Sequence, residues 1–209
     1  MTPKKIALLT DSSADLRWDQ ARENNIFFVP LRILCEDGEY LDGVNITGPD
    51  IYQRLHNGEL PQTSLPRVED FSAKLREIFD LGYDGVIAVM LSSGLSGTYN
   101  LARIVAEECR EQGRAMVAFD SLSGSLGLGM TVLQLAEDIR NGMGWEELTE
   151  RRVPQLIQNT YPFFTLDTLE YLQKGGRIGK VTALAGTMLQ IKPVMHMDDA
   201  GHLIPVSKA

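Results

Sequence analysis

The sequence predicts an α/β protein: a three-layer α/β/α domain on a parallel sheet, followed by a second, smaller two-layer α/β domain. Short apolar runs alternate with amphipathic stretches as far as about residue 158, the pattern of strands joined by helical crossovers that cover both faces of a sheet. Three of those runs end in hydroxyl- and glycine-rich segments, which places a binding rim beyond the carboxyl ends of the strands. After Tyr161 the texture changes to short strand-like runs and a hairpin. The domains are accordingly placed at 1–158 and 159–209. With 44% apolar and 23% charged residues, the chain can bury a core and is not of the disordered class.

Ile6–Leu9 reads as a buried strand running into the polar turn Thr10-Asp11-Ser12-Ser13 and then a helix. The run Ile26–Leu34 carries Pro30, which demotes it to an edge or bulged strand. Thr47 and Pro49 mark a helix start, with proline where its missing N–H costs nothing, and that helix should end near Gly58. Ser64, as cap, and Pro66 begin another helix to about Leu81. The run Val86–Leu91 is a strand, Ser96 to Gln112 a helix, Ala115–Phe119 a strand, and a helix follows to about Asn141. The three polar strand ends, residues 10–13, 92–98 and 120–125, should crowd one rim. In the second domain YPFFTL reads as a strand, LEYLQKGGRIG as a short helix closed by Gly175-Gly176, Val181–Leu189 as a helix, and IKPVMHM, DDAG, HLIPV as a hairpin. A unit this small must pack on the first domain, pair with another chain or belong to something longer.

Composition excludes several function classes. Acidic residues outnumber basic ones 28 to 20, a net charge of -8, and the basic residues are scattered, which argues against a nucleic-acid partner. No apolar run approaches the ~18–20 residues that span a bilayer, so no stable membrane insertion is expected. The opening MTPKKIALLTDSS is too short in apolar length for a secretion signal, and a cytoplasmic protein is expected. Cys35 and Cys109 form no CxxC and read as reduced thiols. Asp198 and Asp199 fall in a hairpin turn and read as turn residues, so neither a metal nor a cofactor is expected.

The segment Ser92-Ser93-Gly94-Leu95-Ser96-Gly97-Thr98 lies between a strand and a helix. Glycines admit a ligand to the backbone, and hydroxyls, free amides and the helix dipole make an anion site there; a plain capped turn is the competing reading. No lysine follows the last glycine as in a Walker loop, and the spacing is not that of a dinucleotide fingerprint. GxSxG fails because Thr98 follows Gly97, and His56, His196 and His202 supply no evident base for Ser93 or Ser96, so serine hydrolysis is not expected. Neutral donors suit a singly charged carboxylate better than a triphosphate. Thr63 and Ser64 are further candidate donors. Arg177, after Gly175-Gly176, is either a solvated arginine beside a helix cap or one aimed at an acidic or phosphate-bearing partner.

The blocks TDSSADL at 10–16, PLRI at 30–33, DG at 42–43, PQTSLP at 61–66, LSSGLSGTYNLA at 91–102, FDS at 119–121, LEYLQKGGRIG at 169–179 and LQIKPV at 189–194 occur in this order. In them the chain resembles the DegV family, bacterial fatty-acid-binding proteins that act as lipid-presenting subunits of a fatty acid kinase. The resemblance implies a non-enzymatic carrier that holds one long-chain fatty acid between two α/β domains, with the carboxylate at the hydroxyl-rich rim. Carried over to this sequence, lipid contact falls to Thr63, Ser64, Ser93, Gly94 and Ser96, and Arg177 is placed to meet the kinase subunit. A head-group site of uncharged donors is expected.

The sequence departs from the family twice. Leu65 stands where the family usually has glutamine, removing an amide near the head group. Family members also run longer, whereas this chain stops at Ser207-Lys208-Ala209; it reads as a fragment, a truncated gene product or a protein completed by another subunit, with unpaired edges that favour self-association. The alternatives to a lipid carrier are an enzyme acting on a small phosphorylated or carboxylated metabolite at the same rim, and a truncated, ligand-free regulatory paralogue.

Overall fold

The computed structural model describes residues 2–181 and 192–206. In chain order its elements are β1 (Ile6–Asp11), α1 (Trp18–Glu23), β2 (Ile26–Val29), β3 (Arg32–Cys35), β4 (Gly38–Leu41), α2 (Gly48–His56), β5 (Gln62–Ser64), α3 (Val68–Asp80), β6 (Gly85–Met90), α4 (Thr98–Glu111), β7 (Ala115–Asp120), α5 (Ser125–Arg140), α6 (Trp145–Glu147), α7 (Val153–Gln158), β8 (Phe164–Thr165), α8 (Glu170–Lys174), β9 (Val194–Met197) and β10 (Leu203–Pro205). The helix expected over Val181–Leu189 lies outside the described residues apart from Val181. Among the described residues no helix is long and apolar enough to cross a membrane.

The first sheet is four-stranded and parallel, in the order β2-β1-β6-β7. Its strands are apolar on both faces because both are covered. Ile6, Leu8, Ile87 and Val89 pack with Leu128, Val132 and Leu135 of α5 on one side. Ala7, Leu9, Val86 and Ala88 pack with Phe71 and Ile78 of α3 and Ala102 and Val105 of α4 on the other. The period-2 alternation of β1 and β6 thus divides one strand pair between two cores, the three-layer arrangement the sequence predicts.

Two short antiparallel sheets accompany it, ordered β4-β3-β5 and β10-β9-β8. The first corrects the expectation for Ile26–Leu34. That run is two strands: β2 is an edge of the parallel sheet, and β3 is the centre of another sheet. Pro30 has no N–H for the ladder, so pairing stops there, and the next amide, Leu31, donates to Ser12 Oγ at 3.0 Å. A second correction concerns Ser64. It does not cap a helix; it lies in β5, and α3 begins at Val68, where the Asp70 carboxylate accepts the Arg67 N–H at 2.8 Å. The helical stretch from Trp145 to Gln158 was not anticipated; it takes up Pro154 beside a wide turn over Leu148–Arg152. The expected hairpin is present as β9 and β10, with Asp198–Gly201 in the turn.

Buried Asp11 joins two strand ends. Its Oδ1 accepts the Ser13 N–H at 3.0 Å and its Oδ2 the Leu91 N–H at 2.7 Å. Burial pushes its carboxyl above the ordinary aspartate range, against the pull of those hydrogen bonds. Because the folded-state value lies above the unfolded one, the folded state binds the proton more tightly. This group's contribution is therefore greatest at low pH and declines as pH rises from the ordinary aspartate value through the raised one. Asp11→Asn turns an N–H donor toward a backbone N–H, and is expected to cost about 1–3 kcal/mol near neutral pH. It should also remove that decline, both read by urea denaturation across mildly acidic to neutral pH.

Candidate functional site

The three polar strand ends meet, as expected. Ser92 N–H donates to the Ser123 carbonyl at 2.9 Å, Ser93 N–H to Asp120 Oδ1 at 3.1 Å, and Ser121 N–H to the Met90 carbonyl at 3.1 Å. The same bonds consume most of the donors of the 92–98 loop. Gly94 N–H is held by Ser92 Oγ at 3.1 Å, the Leu95 and Ser96 amides by the Ser92 carbonyl at 3.0 Å each, and Thr98 N–H by Ser96 Oγ at 3.3 Å. Among the described residues, the amides of Gly97, Tyr99 and Asn100 are left without a partner at the start of α4. These are the orphan donors of a helix N-terminus, with its partial positive charge.

The loop's other face receives the second lobe. Ser92 Oγ, buried, donates to the Gly201 carbonyl at 2.7 Å, which seats the β9–β10 turn on the loop. A Cβ on Gly94 would lie 2.4 Å from the Gly201 carbonyl oxygen, and one on Gly201, which has φ +73, would lie 2.0 Å from Ser92 Oγ. Gly94 is therefore required by the approach of the Gly201 backbone, and Gly201 by its left-handed conformation and the Ser92 hydroxyl.

Beside this joint lies a groove of about 670 Å³, inside the ~300–1,000 Å³ range of small-molecule sites. Its apolar walls come from Ile51 and Leu55 of α2, from Leu60, Leu65, Leu91 and Leu95, and from Leu172 and Leu203 of the second lobe. Gln62, Thr63, Ser64, Ser96 and Gly97 contribute uncharged polar lining. The apolar pair on α2 is four residues apart and so shares one helix face. That helix buries none of its residues fully. Arg54 secures it from the other side, with Nη2 donating to Asp37 at 2.8 Å and Nη1 to Glu59 at 2.9 Å. Asp37 and Glu59, with Cys35, form a cluster of metal-ligand spacing; Arg54 already bonds both carboxylates, and burial pushes the Cys35 thiol up.

Of the five residues expected to contact lipid, Thr63, Ser64 and Ser96 line the groove. Ser93 and Gly94 do not: Ser93 is exposed, and Gly94 lies under Gly201. Lys174 and Arg177 also line the groove, beside the uncharged donors the sequence offered. Lys174 Nζ is paired with Glu170 Oε1 at 2.6 Å, which holds its ammonium above the usual lysine range. Arg177 donates only to carbonyls, Nε to Leu95 at 3.3 Å and Nη1 to Gly175 at 2.8 Å, and among the described residues has no carboxylate partner. Sequence reasoning missed Ile51 and Leu55; their four-residue spacing on an otherwise polar helix was the available signal. Among the described residues the lining includes no histidine, cysteine, aspartate or glutamate.

A family model described as an uncharacterised protein of the DegV family matches residues 5–209. A DegV domain-containing protein of Clostridium perfringens is 39% identical over 206 residues, covering 99% of this chain and 72% of that protein. Among solved structures, a DegV family protein from Thermus thermophilus, described for its fatty acid binding, matches with a TM-score of 0.88 and 34% identity over 98% of this chain and 71% of that one. DegV of Bacillus subtilis, described as a fatty acid binding protein, matches with a TM-score of 0.86 and 29% identity, covering 99% of this chain and 72% of that one.

The Gly94–Gly201 contact leaves no room for a methyl group. Gly94→Ala is expected to lower stability by about 1–3 kcal/mol, the usual cost of overpacking, in a denaturant melt. Ser93→Ala, which removes an exposed hydroxyl, should leave the melt unchanged.

Proposed function

The chain belongs to the DegV family, and on that footing we propose that it binds a long-chain fatty acid in the groove between the domains at 1–158 and 159–209 and presents the carboxylate to a fatty acid kinase subunit. The observation that carries this reading is the composition of the groove. Leucine and isoleucine are the commonest residues of its wall, and its polar lining includes Thr63, Ser64, Ser96, the start of α4 and Arg177, which among the described residues has no carboxylate partner. An aliphatic tail gains about 0.8 kcal/mol for each CH₂ removed from water, so the tail supplies most of the affinity. Hydrogen bonds to a charged head are worth about 1.5–3 kcal/mol each and fix its position.

In this reading the carboxylate meets Ser96, Thr63 or Ser64, and the amides at the start of α4. Ser93 and Gly94 act one step away, by forming the loop on which the second lobe rests. A carboxylate acceptor has no proton to remove, and in this reading the phosphoryl transfer falls to the partner. Arg177 is exposed at the groove, its guanidinium held by two carbonyls and, among the described residues, without a carboxylate partner, which suits contact with a phosphate-bearing kinase site. A cytoplasmic setting accords with an ATP-using partner.

Protein purified from a bacterial host and analysed by native mass spectrometry should carry one fatty acid per chain; an empty chain that also fails to take up added palmitate overturns the reading. Ser96→Ala should weaken fatty acid binding about tenfold, the loss of one hydrogen bond to charge, as measured by calorimetry. Arg177→Ala should leave that binding intact and slow phosphorylation of the bound lipid by the kinase subunit. Loss of lipid binding would instead assign Arg177 to the head group.

A further inference from the structure

Thr63 and Ser64 both line the groove, and their hydroxyls have little of their own to hold them. Ser64 Oγ makes one long hydrogen bond, 3.4 Å to the Leu65 carbonyl, and Thr63 Oγ makes none among the described residues. They sit on β5, a three-residue strand at the edge of its sheet, two residues before Pro66. Resting on the fatty-acid reading above, we infer that Arg32 and Asp70, neither of which lines the groove, form a clamp that positions Thr63 and Ser64 for an anionic head group.

The argument is one of connectivity. Strand β5 pairs antiparallel with β3, Ser64 opposite Arg32 and Thr63 opposite Ile33. The Arg32 guanidinium grips Asp70 bidentately, Nε to Oδ2 at 3.0 Å and Nη2 to Oδ1 at 2.9 Å. The pair is largely buried, with 12% and 24% of the two side chains exposed. Asp70 Oδ2 also accepts the Arg67 N–H, the last amide before α3. The segment from Gln62 to Arg67 is therefore anchored at both ends to one carboxylate–guanidinium pair, through the β3–β5 ladder at one end and the start of α3 at the other. Glu39 on β4 bonds both Arg32 and Arg67, the latter at 2.8 Å, and ties the third strand to the same point. A bidentate fork restricts orientation as well as distance, which a lysine in place of Arg32 cannot do.

Asp70→Asn is the informative variant, because an asparagine oxygen still caps Arg67 while the charge facing Arg32 is gone. The full chain and its Asp70→Asn and Arg32→Lys variants are compared by calorimetry with palmitate and with hexadecanol, which shares the tail but carries no charge. The clamp predicts that palmitate affinity falls about tenfold in each variant, as for one hydrogen bond to charge, while hexadecanol affinity holds. Equal loss for both ligands assigns the pair to general stability and overturns the inference, as does unchanged preference for the acid. Amide hydrogen exchange without ligand tests it independently: exchange across residues 62–67 should accelerate in both variants while β1 and β6 stay protected, and unchanged exchange there overturns the clamp. Failure of the wild-type chain to prefer the acid sinks the fatty-acid reading instead, and the exchange result still decides the clamp.

Discussion

The two lobes meet backbone to backbone, and the groove depends on that approach. With Gly94 and Gly201 lacking side chains, the β9–β10 turn descends until Ser92 Oγ reaches the Gly201 carbonyl. Only then do Leu203 and the α8 region face Leu91, Leu95 and Ser96 as the second wall of one cavity. The loop can accept this load because it is fixed from beneath. Asp11, Asp120 and Ser123 take the amides of residues 91–93, so the ends of three parallel strands act as one rigid shelf. Buried polar groups of this kind are costly without a partner, and the Asp11 and Asp120 carboxylates find theirs in the amides of neighbouring strand ends.

Once the loop's amides are spent on the shelf, the donors available to a ligand move one turn onward, to Gly97 and the first turn of α4. On the proposed reading an anion would therefore meet a helix terminus in place of the glycine loop itself. The lining combines polar residues of β5, the start of α4 and the segment after α8 with a larger set of aliphatic ones. That combination is what the proposed reading, an amphiphile with one small charged end, requires.

The remaining wall is built by an insertion between β2 and α3. Strands β3, β4 and β5 and helix α2 contribute no layer to the main sandwich, and α2 buries none of its residues fully. Its placement rests on ion pairs, Arg54 with Asp37 and Glu59 below α2 and Arg32 with Asp70 beside β5. A wall held by directional pairs keeps its apolar face directed at the groove without spending that face on packing.

The sequence by itself determined the parallel strands, their order of appearance and their polar ends, because burial on both faces and turn chemistry leave local, periodic marks. It also determined the C-terminal hairpin, through DDAG between two apolar runs. Thr63, Ser64 and Ser96 were legible as candidates because hydroxyls next to a helix start are visible in a few residues of text. The tertiary structure alone decided that Pro30 divides Ile26–Leu34 between two sheets, that the polar triplet Gln62–Ser64 is a strand, and that Gly94 lies against the backbone of Gly201. Each of these depends on a partner far along the chain: Ile33 for Thr63, Gly201 for Gly94, Asp70 for Arg32. A short strand without apolar alternation takes its conformation from the strand it pairs with, and a glycine reads alike whether a ligand or another backbone occupies the space beside it.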